Sequence, residues 1–250
     1  MKDLKGKRAI VTGAARGLGL AMAEGLCEYG VKVCLLDIST DLPLVVKKLR
    51  RKGYEVDGLQ ADLSDHDSIP GVFVSALEAL NGEVDILVNN AGTHKPMPAT
   101  ELSAESFRKI MDVNVTAMFR LCTLAALEMK KKGKGKIINI ASVLSFFGGY
   151  LASAYSASKG AVAQLTKSLS NEWAKEGISI NAIAPGYFET ELNRHILDDE
   201  KRYQSLVSRI PMGRFGQPNE LSGIVQFLSS EKSDFISGAV IPVDGGFLGR

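Results

Sequence analysis

Arg8-Ala9-Ile10-Val11-Thr12-Gly13-Ala14-Ala15-Arg16-Gly17-Leu18-Gly19 decides the reading of this chain. An apolar, β-prone run ends in a turn with glycines at 13, 17 and 19, and a helical pattern from Leu18 to Tyr29 follows, closed by Gly30. A strand that passes through such a turn into a helix puts bare backbone and a helix N-terminus at one point, which attracts a phosphate. The spacing is G-x-x-x-G-x-G rather than the dinucleotide fingerprint G-x-G-x-x-G, but the physical requirement of a tight turn with close backbone approach is the same. By itself the turn also admits a plain strand–helix connection.

Working outward, short apolar runs keep alternating with helical patterns. Strands are expected at Lys32–Asp37, Tyr54–Gln60, Asp85–Asn89, Lys136–Ala141, Ser179–Ala184 and Val240–Val243. Helices are expected at Leu42–Arg51, closed by Gly53, and from a capping box at Ser64 and Asp67 to about Leu80. Two more run from a Ser103 cap to about Lys132 and from Tyr155 to Glu176. Strands this apolar are covered on both faces, so the class is α/β: a doubly wound, Rossmann-type parallel sheet of seven strands with helices on both sides. Residues 1–250 read as a single catalytic domain, with a polar helical stretch within about 187–215 able to close as a lid. Ligands then gather beyond the carboxyl ends of the strands, where the motifs fall.

Lys and Arg number 30 against 28 Asp and Glu, a net charge of +2 that gives no field for nucleic acid or an anionic membrane. The one basic run, Lys130 to Lys136, lacks aromatics and ends a helix, where cations favour the dipole. The N-terminus lacks a signal-peptide pattern, and no apolar stretch reads as the ~18 residues of a membrane span. Cys27, Cys34 and Cys122 read as buried thiols, and His66, His94 and His195 are scattered, so no metal site is expected. A cytoplasmic protein without nucleic-acid or membrane partners is the expectation.

Asp37 ends the second strand, beside Ile38. A carboxylate there accepts from adenosine ribose hydroxyls and repels a 2′-phosphate, which favours NAD over NADP. Arg16 in the turn is the counter-signal, and a solvated strand-end acid or a cap on the next segment is the alternative for Asp37. Asp62-Leu63 follows the third strand at the adenine position, or Asp62 is a turn acid before Ser64. Asn89-Asn90-Ala91-Gly92 offers a small polar turn after the fourth strand.

Tyr155 and Lys159, four residues apart, share a helix face. A free phenol titrates near pH ~10. A neighbouring ammonium and the positive nicotinamide favour phenolate, so Tyr155 can serve as acid and base. Ser142, ending the fifth strand, can hold the substrate oxygen. Asn114 inside a long helix marks either a local distortion with a water near Lys159 or an exposed polar residue. His94, Leu144, Tyr150 and Tyr187 fall in the segments expected to face the substrate, with Ser142 and Tyr155.

Thr12 to Gly19, Asn89 to Gly92, Asn114, Ser142, Tyr155, Lys159, Pro185-Gly186 and Val243 to Gly246 together resemble the short-chain dehydrogenase/reductase family over essentially the whole chain. The resemblance implies Tyr155 as acid–base, Lys159 as ribose anchor and pKa modifier, Ser142 as oxygen holder and Asn114 as a water-relay residue. It places Gly13, Arg16, Gly17, Leu18, Gly19, Asp37, Ile38, Asp62, Leu63, Asn90, Ala91, Gly92, Pro185, Gly186, Phe188 and Thr190 against NAD. The bulk of Phe188, where members often carry Ile or Val, is expected to narrow the pocket. No metal and a homotetramer are implied as well. Lys136 to Gly149, Asn171 to Ala174, Asn181 to Tyr187 and Arg209 to Arg214 resemble the sugar-acid branch, which includes gluconate 5-dehydrogenase and 2-dehydro-3-deoxygluconate 5-dehydrogenase. For a carboxylate substrate, His94, Lys95, Arg194 and His195 are the candidate cations. A 3-oxoacyl-[acyl-carrier-protein] reductase and a non-catalytic NAD-sensing protein are the alternatives; Asp37 argues against the first and the Ser142–Tyr155–Lys159 set against the second.

Overall fold

The computed structural model describes residues 1–249, and the side chain of His195 also lies outside the description. Its strands are β1 (Arg8–Thr12), β2 (Lys32–Asp37), β3 (Val56–Gln60), β4 (Ile86–Asn89), β5 (Gly135–Ile140), β6 (Ile178–Pro185) and β7 (Val240–Val243). They form one sheet in the order β3-β2-β1-β4-β5-β6-β7, parallel throughout, with Val11 opposite both Leu35 and Val88. Successive strands step outward on both sides of β1, so a crevice opens at the carboxyl ends of β1 and β4.

The helices are α1 (Gly17–Cys27), α2 (Leu42–Arg51), α3 (Ile69–Ala79), α4 (Ala104–Met111), α5 (Met118–Lys132), α6 (Ser153–Trp173), α7 (Arg194–Leu197), α8 (Glu200–Val207) and α9 (Ser222–Ser229). Strand alternation feeds two layers. Ala9, Val11, Val33 and Leu35 pack on Met22 and Leu26 of α1, Leu49 of α2 and Val225 of α9. Ile10, Leu36 and Leu87 pack on Phe73 of α3, Leu121 and Met129 of α5 and Trp173 of α6. Each such buried side chain contributes about 1.5–3 kcal/mol, so the strand ends that carry the site rest on a rigid base. A third, smaller cluster joins Ile196, Ile210, Phe215 and Phe247 beneath α7 and α8.

Two helix starts differ in an instructive way. Ser103 caps α4, its Oγ accepting from Ser106 N at 3.1 Å. Ser64 does not open α3: its N–H and hydroxyl both donate to Asp62 Oδ1, at 2.9 and 2.7 Å. The helix starts later, with Pro70 in its first turn, where a missing N–H costs nothing. The long helix is interrupted by a π-helical segment, Asp112–Ala117, that contains Asn114. Taken whole, Ala104–Lys132 is long and apolar enough to cross a membrane, contrary to the sequence reading. Here Leu121, Cys122, Ala125, Ala126 and Met129 pack it into the sheet core.

Candidate active site

Gly13 and Gly17 take left-handed backbone, φ +61° and +56°. A Cβ on Gly19 would overlap the Gly13 carbonyl oxygen and come within 2.5 Å of Asn90 Nδ2, so only glycine lets α1 start against the turn. Thr12, which opens the turn motif but is assigned no role from sequence, accepts at Oγ1 from Asn90 N at 3.0 Å and Ala91 N at 2.9 Å. Asn90 Nδ2 returns bonds to the carbonyls of Thr12, 3.0 Å, and Gly13, 2.9 Å. The one available signal for Thr12 is a hydroxyl ending an apolar strand. Asp37 braces the same turn from β2: Oδ2 accepts from Ala15 N at 2.8 Å and Oδ1 from Ser39 N at 2.9 Å. It is both a strand-end acid at the crevice and a cap. Arg16 and Ile38 are exposed beside it. Asp62 is the turn acid of Ser64, whose backbone N–H and hydroxyl hold its carboxyl below the usual range. Leu63 is buried in the sheet core.

Beyond the ends of β4, β5 and β6 lies a cleft of about 600 Å³. Tyr155 and Lys159 reach it from the first two turns of α6, with Nζ 5.7 Å from the centre of the phenol ring. Lys159 Nζ donates to Ile140 O at 2.6 Å, and Lys159 O accepts from Ser145 Oγ at 2.7 Å. Ser142 caps the short turn Val143–Ser145, accepting from Leu144 N at 3.1 Å, and also hydrogen-bonds the Tyr155 side chain. Asn114 is buried and fully engaged. Its Oδ1 accepts from Thr93 N at 2.7 Å, and its Nδ2 donates to Thr93 O at 3.0 Å and Ser158 Oγ at 2.9 Å. Ser158 Oγ in turn donates to Tyr155 O at 2.7 Å. The distortion read from Asn114 is therefore present, and its amide bonds backbone rather than Lys159.

In the protein by itself Tyr155 and Lys159 depart from the expected titration. Burial pushes the Tyr155 phenol up to about 12, with the Ser142 hydrogen bond only partly opposing it. Burial also pushes Lys159 down to about 8. The ammonium does not lower the phenol here, because both groups lose water and the Lys159 proton points at Ile140 O.

Of the residues singled out, Leu18, Asn90, Gly92, His94, Ser142, Leu144, Tyr150, Tyr155, Lys159, Pro185, Gly186, Tyr187, Phe188 and Thr190 line the cleft. The His94 ring sits 4.7 Å from that of Tyr155, and Tyr150 is 85% exposed. Gly13, Arg16, Gly17, Gly19, Ala91, Asp37, Ile38, Asp62, Leu63 and Asn114 are not part of its wall; most belong to the glycine turn and the ends of β2 and β3. Phe188 stands at the cleft wall but is only 4% exposed, so little of its bulk faces the opening. It is buried in the sheet core, its ring against Gly216, where a Cβ would come within 2.6 Å of Cε1.

The expected cations are also partly misplaced. Lys95 is exposed and donates to Ser106 Oγ at 3.2 Å, and Arg194 lies 3.8 Å from Glu191, away from the cleft. The cleft's guanidiniums are instead Arg202, on α8, and Arg209, just beyond it. Arg209 opens the Arg209–Arg214 stretch that resembles the sugar-acid branch, but neither it nor Arg202 is among the expected cations.

The donor set fits a dinucleotide. The turn exposes bare backbone at the start of α1, and Gly92 leaves open a point where a Cβ would stand 3.6 Å from Lys159 Nζ and 3.3 Å from Asn114 Oδ1. Among the described residues no cluster of metal-ligating side chains occurs.

A family model described as enoyl-(acyl carrier protein) reductase matches residues 13–248. A 2-dehydro-3-deoxy-D-gluconate 5-dehydrogenase of Bacillus subtilis (strain 168) is 42% identical, covering 99% of this chain and 97% of that protein. A gluconate 5-dehydrogenase of Gluconobacter oxydans (strain 621H) is 41% identical, covering 98% of this chain and 95% of that protein. The crystal structure of a gluconate 5-dehydrogenase from Burkholderia cenocepacia J2315, in complex with NADP and tartrate, superposes with a TM-score of 0.94 at 39% identity, covering 100% of this chain and 98% of that one.

Proposed function

Because this chain belongs to the short-chain dehydrogenase/reductase family and is a nicotinamide-dependent oxidoreductase, we propose that it interconverts a secondary alcohol and a ketone on a sugar acid such as gluconate or 2-dehydro-3-deoxygluconate, with NAD preferred. The observation that carries this reading is the convergence of Ser142, Tyr155 and Lys159 on one cleft beside the glycine turn. The sugar-acid part draws on the Bacillus and Gluconobacter relatives.

The cofactor supplies the hydride acceptor or donor. The turn from Gly13 to Gly19, Asp37, Lys159 and the Pro185–Thr190 segment would hold it. Ser142 Oγ holds the substrate oxygen. Tyr155 removes the proton from that oxygen during oxidation and returns it during reduction. The positive charge of oxidised nicotinamide would favour the phenolate that burial disfavours, while Lys159, held on Ile140 O, would anchor the cofactor ribose. Asn114 acts here as a positioning residue, tying Thr93 to α6 through Ser158.

Asp37 supports NAD, since its fixed carboxylate at the crevice repels a 2′-phosphate. NADP is the second reading, favoured by the exposed Arg16 and by the cofactor of the Burkholderia structure. The test is initial rates on gluconate, 2-dehydro-3-deoxygluconate and their keto partners with NAD(H) and NADP(H). A kcat/KM about tenfold or more higher with NAD is expected; a higher value with NADP overturns the preference. Acyl-thioester reduction exceeding every sugar acid would favour the acyl-carrier-protein reading, which the family model's description supports.

The lid reading for about 187–215 draws on the separate small cluster under α7 and α8. Unchanged limited proteolysis there on adding cofactor counts against it. A homotetramer draws on Phe107, Phe119 and Leu127, exposed along α4 and α5. Light scattering that gives a monomer removes it.

A further inference from the structure

We propose that Arg202 and Arg209 are the carboxylate-recognising end of the cleft, and that they fix which carbon of an acid substrate reaches Tyr155. This rests on the sugar-acid reading above and names the residues that would enforce it.

Both guanidiniums line the same cleft as Ser142 and Tyr155. Two other arginines of this segment are already near an acid: Arg194 lies 3.8 Å from Glu191, and Arg214 is 2.7 Å from Glu220. Among the described residues no carboxylate lies within 4.0 Å of Arg202 or Arg209. The nearest acid in sequence, Glu200, accepts from Gln204 Nε2 at 2.8 Å, and Asp199 caps α8 by accepting from the backbone N–H of Arg202 at 3.1 Å.

Arg209 is also held. Its guanidinium lies 4.7 Å over the Phe247 ring, which packs on Phe147 at 5.6 Å and on Tyr187 at 5.5 Å. Stacking takes the face of the guanidinium and leaves its N–H edge for a planar, bidentate partner. Tyr187 lies within the field of both cations, which oppose the rise that burial imposes on its phenol. An anion at this end of the cleft would be drawn by both guanidiniums. A substrate held by its carboxylate at this end presents a carbinol at a fixed remove from Ser142 and Tyr155. A neutral polyol of the same length has nothing to hold it in register.

The test compares gluconate with glucitol, the same chain with the carboxylate replaced by an alcohol, at saturating cofactor. The parent should prefer gluconate. Arg202→Gln and Arg209→Gln should each lower kcat/KM for gluconate about tenfold or more, chiefly through KM, and leave glucitol within about threefold. Arg209→Lys should recover part of the loss. Tartrate should inhibit the parent competitively with gluconate and inhibit both Gln variants about tenfold more weakly. Unchanged gluconate KM in both Gln variants overturns the assignment. So does an equal loss on gluconate and glucitol, which would mark a structural role. A parent that uses glucitol as well as gluconate sinks the sugar-acid reading itself, and the assignment with it.

Discussion

Asn114→Leu removes one acceptor and two donated bonds from a buried position at nearly constant volume. The lost bonds are worth about 1 kcal/mol each. The larger cost is what they leave behind, because among the described residues the Thr93 N–H and C=O bond Asn114 alone, beside the π segment. A buried polar group left unsatisfied costs about 1–3 kcal/mol. Water entering from the cleft relieves some of this, so the net destabilisation is expected at about 2–5 kcal/mol. Urea unfolding followed by tryptophan fluorescence measures it; Trp173, the single tryptophan, sits in the sheet core and reports global loss. Activity should fall further than stability requires, since Thr93 precedes His94 and Ser158 holds the Tyr155 carbonyl. A change below about 1 kcal/mol, with kcat retained, would refute the claim that this amide organises the site.

Gly19→Ala places a methyl on the Gly13 carbonyl, and overpacking of this kind costs about 1–3 kcal/mol; calorimetric cofactor affinity should drop about tenfold or more, and an unchanged Kd would refute the packing argument. Tyr155→Phe should cut kcat by about 10²–10⁴-fold while cofactor affinity stays within about twofold, since only the proton carrier is lost; single-turnover rates check this. Lys159→Met gives a pH test. Burial pushes the native Lys159 down to about 8 from the 10.5 of the unfolded side chain. The unfolded state therefore binds more protons between those values, and the parent gains stability as pH rises through that window. The variant, which has no such proton, should exceed the parent most below pH 8, by up to about 3 kcal/mol less the lost Ile140 bond. Chemical denaturation at pH 7 and 10 that shows a constant gap would contradict burial as the cause.

Much of this was legible in the order of residues. β1, β2, α2 and β7 run as their apolar pattern and closing residues predict, because local hydrophobicity and local termination agree there. Asn114 pointed to a helix distortion because asparagine competes with the backbone for hydrogen bonds, and the distortion is there. The start of α3 was not legible, since the Ser64 hydroxyl had a nearer acceptor in Asp62 than a helix N–H. Nor was the place of Arg202 and Arg209 in the cleft, which depends on how α8 docks on aromatics drawn from positions 147, 187, 215 and 247. The phenol's rise was missed for a related reason: spacing puts Tyr155 near Lys159, but only the packed structure shows how much water both have lost.

What joins the turn to the catalytic pair is a short polar route. Thr12 Oγ1 holds the N–H groups of Asn90 and Ala91 at the end of β4. Two residues on, Thr93 bonds Asn114 through both its N–H and its C=O. Asn114 holds Ser158, and Ser158 holds the carbonyl of Tyr155. Hydride transfer needs the reacting carbons held near ~3–3.5 Å, and misplacement by ~1 Å can cost about a hundredfold. A rigid sheet alone fixes the strand ends, but α6 approaches the crevice from a different layer and needs its own registration. These bonds are short, buried or half-buried, and lie on backbone atoms as often as on side chains, so they resist rotamer changes that a purely apolar contact would allow. The π segment follows from that demand: it lets Asn114 face Thr93 and Ser158 at once while α4 and α5 continue on either side.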